Sequence, residues 1–321
     1  MAHGVGGTVI VTITLNPSVD RTVEVDSLTR GAVLRASGEH LDAGGKGLNV
    51  ARALAAHGCA TRAVLPVGGD GGRQLVDMLA GLDIELVQVP VGAPARCNIA
   101  ISEPDGTVTK VNSLGEPLSG KELQAIVDAV RDCAGDASWF VLGGSLPAGV
   151  PDSFYATLLD LLRPTGVPVA VDTSGSALVL AVRARPALVK PNREELETAV
   201  GRRVHTLGEV VEAAGELRRM GAKTVLASLG ADGAVLVEED GRWHGEAPVQ
   251  ARSTVGAGDA MLAGFLFAGA NGPAALASGL CWGAAAASLP GSQMPGVRDL
   301  HPDRVCVHPR IDSARRLGSD G

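Results

Sequence analysis

The chain has 321 residues, room for one large domain or two small ones, and a chain of about 300 residues buries roughly three quarters of its unfolded surface. Its 28 Lys+Arg against 35 Asp+Glu give a net charge of −7, and without any basic run this argues against a nucleic-acid partner. An anionic ligand must then be met by a local basic site, not by a global field. Aromatic residues are only 2%, so the core has to be built from Ala, Val and Leu. Cys59, Cys97, Cys133, Cys281 and Cys306 are scattered with no CxxC pair, which speaks against a zinc site or a disulfide framework and for a reducing, cytoplasmic setting. Residues 1–7 show no leader pattern. The most apolar stretch, residues 260–270, is shorter than the ~20 residues that span a bilayer, so it reads as a buried helix and no membrane association is expected.

In chain order, residues 8–15 are rich in β-branched side chains and end at Asn16-Pro17, an opening strand and turn. Residues 22–25 alternate as a short strand, residues 42–47 form a Gly-rich loop, and residues 48–57 a helix. A second apolar strand at 63–67 leads through Gly68 to Gly72 into a helix carrying Leu75, Met78 and Leu79. Residues 97–101 and 107–111 read as a hairpin around Asp105-Gly106, and 123–130 as a helix. Apolar runs at 139–142, 167–171, 187–189 and 224–227 alternate with helical stretches, including 209–220. This βαβ rhythm implies a parallel sheet. Residues 234–237 and the Trp243 region suggest a late meander. The tail after Leu300 is weakly patterned and reads as partly irregular. The fold class is therefore α/β: a doubly wound, mostly parallel sheet flanked by helices. The early strands near 20–40 and 95–112 break the rhythm and suggest a small separate sheet.

Several segments carry chemistry. In Thr254-Val255-Gly256-Ala257-Gly258-Asp259, two glycines open an apolar helix, so backbone N–H groups and the helix dipole can hold a transferring phosphoryl group. Asp259 beside them can take a proton from an attacking hydroxyl, or simply cap the helix. In Gly44-Gly45-Lys46-Gly47-Leu48-Asn49, Asn49 can bind a sugar hydroxyl and Lys46 a phosphate, or the stretch is only a Gly turn into a helix. It is no P-loop, since Leu48 stands where that motif needs Lys-Ser/Thr. Asp20 follows the first strand, at the end where open α/β sheets bind ligands, or belongs to a plain turn. Asn192 and Glu195, three apart, offer oxygen ligands suited to Mg2+, or start a helix with acidic residues at its positive end. Loops containing Ser145 and Ser228, Gly230, Ala231 and Gly233 end strands in the same manner. Arg96 and Lys110, on the two strands of the hairpin, can clamp a phosphate or be exposed charges. The seven histidines form no nucleophile or metal pattern.

The order of these segments is more telling than any one of them. Asn-Pro-x-x-Asp, Gly-Gly-Lys-Gly-x-Asn, Gly-Ser-Leu-Pro, Lys-Pro-Asn-x-x-Glu, Ser-Leu-Gly-x-x-Gly and Thr-Val-Gly-Ala-Gly-Asp, spread over residues 8–296, resemble the ribokinase-like (PfkB) family of sugar kinases. The opening segment and Lys46 are most similar to its hexose-phosphate branch, 1-phosphofructokinases above all. The resemblance implies a single ribokinase-like domain over 1–321 with a β lid from about 18–40 and 93–113. It implies ATP-dependent phosphorylation of a ketohexose phosphate, fructose 1-phosphate first. Tagatose-6-phosphate kinase or 6-phosphofructokinase activity is the alternative, and a non-catalytic sugar-phosphate or nucleotide sensor the reading from another class. It assigns Asp259 as base, Gly256, Ala257 and Gly258 as anion hole, and Asp20, Gly44, Gly45, Lys46, Asn49, Arg96, Lys110 and Ser145 to the sugar phosphate. Asn192, Ser228, Gly230, Ala231, Gly233, Thr254 and Gly258 go to the nucleotide, and Asn192 with Glu195 to Mg2+. A monovalent cation such as K+ is left open, and a homodimer through the lid is expected. Ala260, Ala148 and residues 112–117 depart from common family patterns, the last putting the choice of sugar in question.

Overall fold

The computed structural model describes residues 9–318, so Thr8 and the 1–7 stretch read for a leader lie outside it. The chain opens with β1 (Val9–Ile13), passes through β2 (Ser18–Glu24) and β3 (Gly38–Gly44), and returns through α1 (Lys46–Ala55) to β4 (Thr61–Val67). Then come α2 (Gly69–Leu79), β5 (Ile84–Pro90), the hairpin β6 (Arg96–Ser102) and β7 (Val108–Val111), α3 (Gly120–Asp132) and β8 (Ala137–Gly143). A run of βα units follows: α4 (Phe154–Leu162), β9 (Val169–Asp172), α5 (Gly175–Arg183), β10 (Leu188–Val189), α6 (Arg193–Val200), α7 (Leu207–Met220) and β11 (Thr224–Ser228). The meander β12 (Ala234–Val237) and β13 (Arg242–Glu246) precedes the helix pair α8 (Ala257–Phe267) and α9 (Gly272–Ala287), and β14 (Cys306–His308) comes last.

Two sheets result. The large one has the order β14-β13-β12-β11-β10-β9-β8-β1-β4-β5, parallel from β5 to β11 and antiparallel beyond. The small one has the order β3-β2-β6-β7. Strands covered on both faces read as unbroken apolar runs, because alternate side chains enter different cores. Val11 and Ile13 of β1, Phe140 and Leu142 of β8, and Val225 and Ala227 of β11 face the core built with α3 to α7. Ile10, Val141 and Leu226, one position away, face the core built with α1, α8 and α9. α8 and α9 have almost no polar face and are buried nearly all round. Among the described residues no helix is long and apolar enough to cross a membrane.

Chain order around β1 locates the ligand crevice. The chain moves outward from β1 to β4 and β5, then resumes on the opposite side of β1 with β8. Such a reversal opens a cleft at the carboxyl ends of the strands on either side. The carboxyl ends of β1, β8, β9, β10 and β11 carry Asn16, Gly144, Asp172, Lys190 and Ser228.

Some elements differ from the sequence reading. Asp42, Ala43 and Gly44, expected in a loop, form the end of β3, held by full-length pairing with β2 from Ser18↔Gly44 to Glu24↔Gly38. The residues at 69–72, expected as a loop, make the first turn of α2. β5 and β14, both unforeseen, close the two edges of the large sheet.

Candidate active site

The Gly-rich turn into α8 is tight for a steric reason. Gly256 caps the helix at φ 76°, a conformation that disfavours any Cβ. The first-turn N–H groups of a helix lack intrahelical partners and point outward from its start, which makes this turn an anion cradle. The Ala257 amide is partly engaged, through a long 3.4 Å bond to the Thr254 carbonyl. Asp259 lies in that first turn at 7% exposure. Packing of α1 against α8 brings Asn49 to it, and Asn49 Nδ2 donates to Asp259 Oδ2 at 2.9 Å. Asn49 Oδ1 in turn accepts from Arg52 Nη1 at 3.1 Å, which fixes the orientation of the amide. Burial, and then the charge of Asp172, push the Asp259 carboxyl up to about 6, against the opposing pull of Lys190, the Asn49 bond and Lys46. That value suits a base working near neutrality.

Beneath the loop is a charge cluster in which Asp172 and Lys190 were given no role in the sequence. Asp172, at the end of β9, is bracketed by two ammonium groups: Lys46 Nζ at 2.8 Å from Oδ1 and Lys190 Nζ at 2.9 Å from Oδ2. Burial works against the Asp172 carboxylate, but Lys190 and Lys46 outweigh it and hold the group below the usual range. A Cβ on Gly258 would fall 3.2 Å from Lys190 Nζ, so glycine there lets a buried ammonium approach the anion loop. Lys46 Nζ also meets Glu195 Oε1 at 2.9 Å. Its net shift is upward, burial being outweighed by Asp172 and Glu195. The structure thus places Lys46 between two carboxylates, where its long side chain neutralises an otherwise repulsive acidic pair.

Asn192 and Glu195 cap α6 reciprocally. Asn192 Oδ1 accepts from the Glu195 amide at 2.8 Å, and Glu195 Oε2 accepts from the Asn192 amide at 2.9 Å. Among the described residues no group of three or more His, Cys, Asp or Glu is arranged to hold a metal ion. Ser228 bridges to Asn192 in parallel register, and its amide donates to the Pro191 carbonyl at 3.0 Å, so the 228–233 loop and the start of α6 form one rim. Gly230 and Ala231 lie in a single 3-10 turn. Gly233, at φ 83°, packs so closely on Gly245 and Glu246 that no side chain would fit. Thr254, exposed, precedes the cradle.

The small sheet supplies the other wall. Asp20 Oδ1 accepts from Ser18 Oγ at 2.6 Å and from Asn98 Nδ2 at 2.8 Å. A Cβ on Gly44 would overlap the Asp20 carboxylate, and one on Gly45 would meet Thr14. A cavity of about 210 Å3 is lined by Asp20, Asn98, Lys110 and Asn112 on the sheet side and by Val255 and Ser292 next to the cradle. Arg96 pairs in register with Ser18, donates to the carbonyls of Asn16 at 3.2 Å and Ser113 at 2.8 Å, and has no carboxylate within ion-pair distance among the described residues. Burial lowers its half-buried guanidinium from the usual range, and the Asp20 carboxylate acts on it only at longer range. Ser145 Oγ accepts from Asn16 Nδ2 at 3.2 Å.

The structure thus brings Asn49 to Asp259 at the Gly256–Ala257–Gly258 turn, places Asp20 and Lys110 around a cavity that Val255 also lines, and groups Asn192, Glu195, Ser228, Gly230, Ala231 and Gly233 on an adjoining rim. Sequence reasoning missed Asp172 and Asn98, and quoted Lys190 without giving it a role. The signal for Asp172 was present: a carboxylate at the carboxyl end of an apolar strand, the same argument that selected Asp20.

Known proteins share this sequence pattern and fold. The family model "pfkB family carbohydrate kinase" matches residues 13–294. The chain is similar to the 1-phosphofructokinase of Rhodobacter capsulatus, 40% identical over 268 residues covering 82% of this chain and 84% of that protein. It is also similar to the 1-phosphofructokinase of Escherichia coli K12, 36% identical over 264 residues, 80% and 83% of the two chains. Among solved structures, Escherichia coli phosphofructokinase-2 in complex with substrates and products superposes with a TM-score of 0.85 at 32% identity, covering 90% of this chain and 96% of the other. A possible 1-phosphofructokinase from Thermotoga maritima gives a TM-score of 0.86 at 25% identity, covering 97% and 100%. The chain belongs to the pfkB family of carbohydrate kinases.

Proposed function

We propose that the chain transfers the γ-phosphoryl group of ATP to the free primary hydroxyl of fructose 1-phosphate, giving fructose 1,6-bisphosphate and ADP, with Asp259 as the base. The observation that carries this reading is the buried Asp259 carboxylate in the first turn of α8, held by Asn49 beside an anion cradle. Asp259 takes the hydroxyl proton as the hydroxyl oxygen attacks phosphorus and the bond to the ADP oxygen breaks. The first-turn amides and the Lys190 ammonium neutralise charge on the transferring group. Asn49, fixed by Arg52, keeps the Asp259 carboxylate turned toward the attacking oxygen.

Asp20, Gly44, Gly45, Asn49 and Ser145 hold the sugar, and Arg96 and Lys110 take its phosphate. The Arg96 guanidinium, bonded to two carbonyls and without a carboxylate at ion-pair distance among the described residues, supports that choice. The small sheet acts as a lid that excludes water and limits ATP hydrolysis. The rim of Asn192, Ser228, Gly230, Ala231, Gly233 and Thr254 takes the nucleotide. Asn192 and Glu195 would hold Mg2+ mainly through water and phosphate oxygens rather than in a closed protein cage, since Asn192 Oδ1 and Glu195 Oε2 also cap α6. Such an ion would supply charge neutralisation at the phosphates. Lys46 keeps the Asp172 and Glu195 carboxylates together. The small sheet exposes Leu41, Ile99 and Val111 in one register row, with Arg21 between Leu41 and Ile99, which supports a homodimer through the lid.

A coupled ADP-release assay with fructose 1-phosphate, fructose 6-phosphate and tagatose 6-phosphate, run with and without K+, tests the reading. The expected result is a preference for fructose 1-phosphate in kcat/KM. A preference for either 6-phosphate would move the chain to the alternative kinases. No turnover on any of them, with ATP and sugar phosphate both bound, would make it a sensor.

A further inference from the structure

The match to the family model ends at residue 294, yet the chain continues through β14 and a segment at 311–318 that lies against the candidate nucleotide rim. β14 adds to β13, pairing Glu246 with Cys306 and His244 with His308. Beyond it the backbone runs along the entry to α7: the Leu207 amide donates to the Arg315 carbonyl at 3.0 Å, the Gly208 amide to the Ser313 carbonyl at 3.1 Å, and the Leu317 amide to the His205 carbonyl at 2.9 Å. A Cβ at Gly208 would sit 2.8 Å from that Ser313 oxygen, so glycine is what allows the close approach. Ile311 and Leu317 pack at the edge of the core.

One side chain and one backbone amide of this segment meet on one acidic residue of the 228–233 loop. The Gly318 amide donates to Asp232 Oδ2 at 2.8 Å, and Arg315 Nη2 lies 3.9 Å from Asp232 Oδ1. The same Arg315 Nη2 bonds Glu246 Oε2 at 2.8 Å, and that hydrogen bond, with the one from His308, holds Glu246 below the usual carboxylate range. Glu246 ends β13, against which Gly233 packs, and the next residue begins the wall of a cavity of about 490 Å3 lined by residues 247–252 and one side of α9. Asp232 and Glu246 are thus two carboxylates tied by one guanidinium, and the tie joins the loop to the strand behind it. The Gly318 carbonyl also accepts from Arg193 Nη1 at 2.8 Å, which links the segment to the start of α6.

We propose that residues 311–318, acting through Arg315, are a strap that positions the 228–233 loop for nucleotide, with Arg315 as a positioning residue. The proposal rests on the reading of that loop as a nucleotide site. Removing the guanidinium cuts the tie between Asp232 and Glu246, so the loop loosens from β13 while the sugar side, on the other sheet, is untouched.

The test compares wild type, Arg315→Ala and Arg315→Lys by amide hydrogen exchange of residues 229–233 and by calorimetric binding of ADP, with kinetics alongside. Arg315→Ala is expected to speed exchange in that loop, and to weaken ADP binding and raise KM for ATP about fivefold, the scale of a partly exposed ion-pair network. The KM for sugar phosphate should stay within about twofold, and Arg315→Lys should restore much of the loss. Unchanged loop exchange, or an unchanged ADP Kd in a wild type that binds ADP, overturns the strap alone. An equal rise in both KM values also overturns it, since a general loss of fold would do that. A wild-type protein that binds no ADP at all overturns the nucleotide reading and the strap with it. Should Arg315→Ala fail to fold, Glu246→Gln, which keeps the Asp232 contacts, is expected to give a smaller change in the same direction. No change there counts against the strap.

Discussion

The two walls of the site are built on different physical terms. Under the cradle, Asp259, Asp172 and Lys190 are almost wholly buried, and the Lys190 ammonium offsets two carboxylates that oppose each other. On the small sheet, Asp20, Asn98 and Arg96 are half-exposed and Lys110 is exposed. They hang on a backbone that pairs in register whatever the side chains are. The buried wall should therefore couple catalysis to stability, while the sheet wall should affect substrate affinity and little else.

The largest effect is expected at Asp259. Asp259→Asn keeps a partner for Asn49 but removes the base, so kcat should fall by about 10^3 or more, near the upper range for a positioned acid–base group. Stability should go the other way. The folded-state pKa of about 6 lies above the ordinary 3.8, so the native state holds its proton more tightly, and stability falls as pH rises between those values. At pH 7 the ionised carboxylate carries that whole cost, so thermal melts should show Asp259→Asn no less stable than wild type. Asp172→Ala should break the buried wall outright. It leaves Lys190, 4% exposed, without its counter-charge, and a denaturant titration should register a loss of about 3–5 kcal/mol.

The sheet wall gives the contrast. Arg96→Ala should raise KM for fructose 1-phosphate about tenfold or more, the loss of a charge-assisted contact, with kcat and the melting temperature nearly unchanged. A large stability loss there would show that the two walls are not separate. Smallest of all, Leu41→Asp should change the elution volume in size-exclusion chromatography if the outer face of the sheet joins two copies, with per-subunit turnover moving less than in any variant above.

The same contrast decides what could be read from the sequence. The parallel strands were legible because burial on both faces writes an unbroken apolar run, as in residues 139–142 and 224–227. The cradle was legible because Gly256 caps and Gly258 opens the most apolar helix among the described residues. β3, with the sequence GEHLDAG, was not, since its strand state comes from pairing with β2 and not from its own propensity. β5 and β14 are edge strands, short or mixed in polarity, that owe their place to a neighbour. Asp172 escaped because its importance lies in Lys46 and Lys190, 126 and 18 positions away, and only the fold joins them. Lys46 was read from its loop as a phosphate ligand, and a loop sequence does not disclose that two carboxylates wait at the ends of other elements.

The most direct measurement is kcat/KM for fructose 1-phosphate against pH, in the wild type and in whatever activity Asp259→Asn retains. A base must be ionised, so the wild-type value should be level near pH 7–8 and fall about tenfold per unit below its pKa. The midpoint of that fall should lie at about 6, where burial and Asp172 place the Asp259 carboxyl, and the fall should be missing from the Asp259→Asn profile. An acid limb that survives unchanged in Asp259→Asn, or near-normal turnover by that variant, would contradict Asp259 as the base.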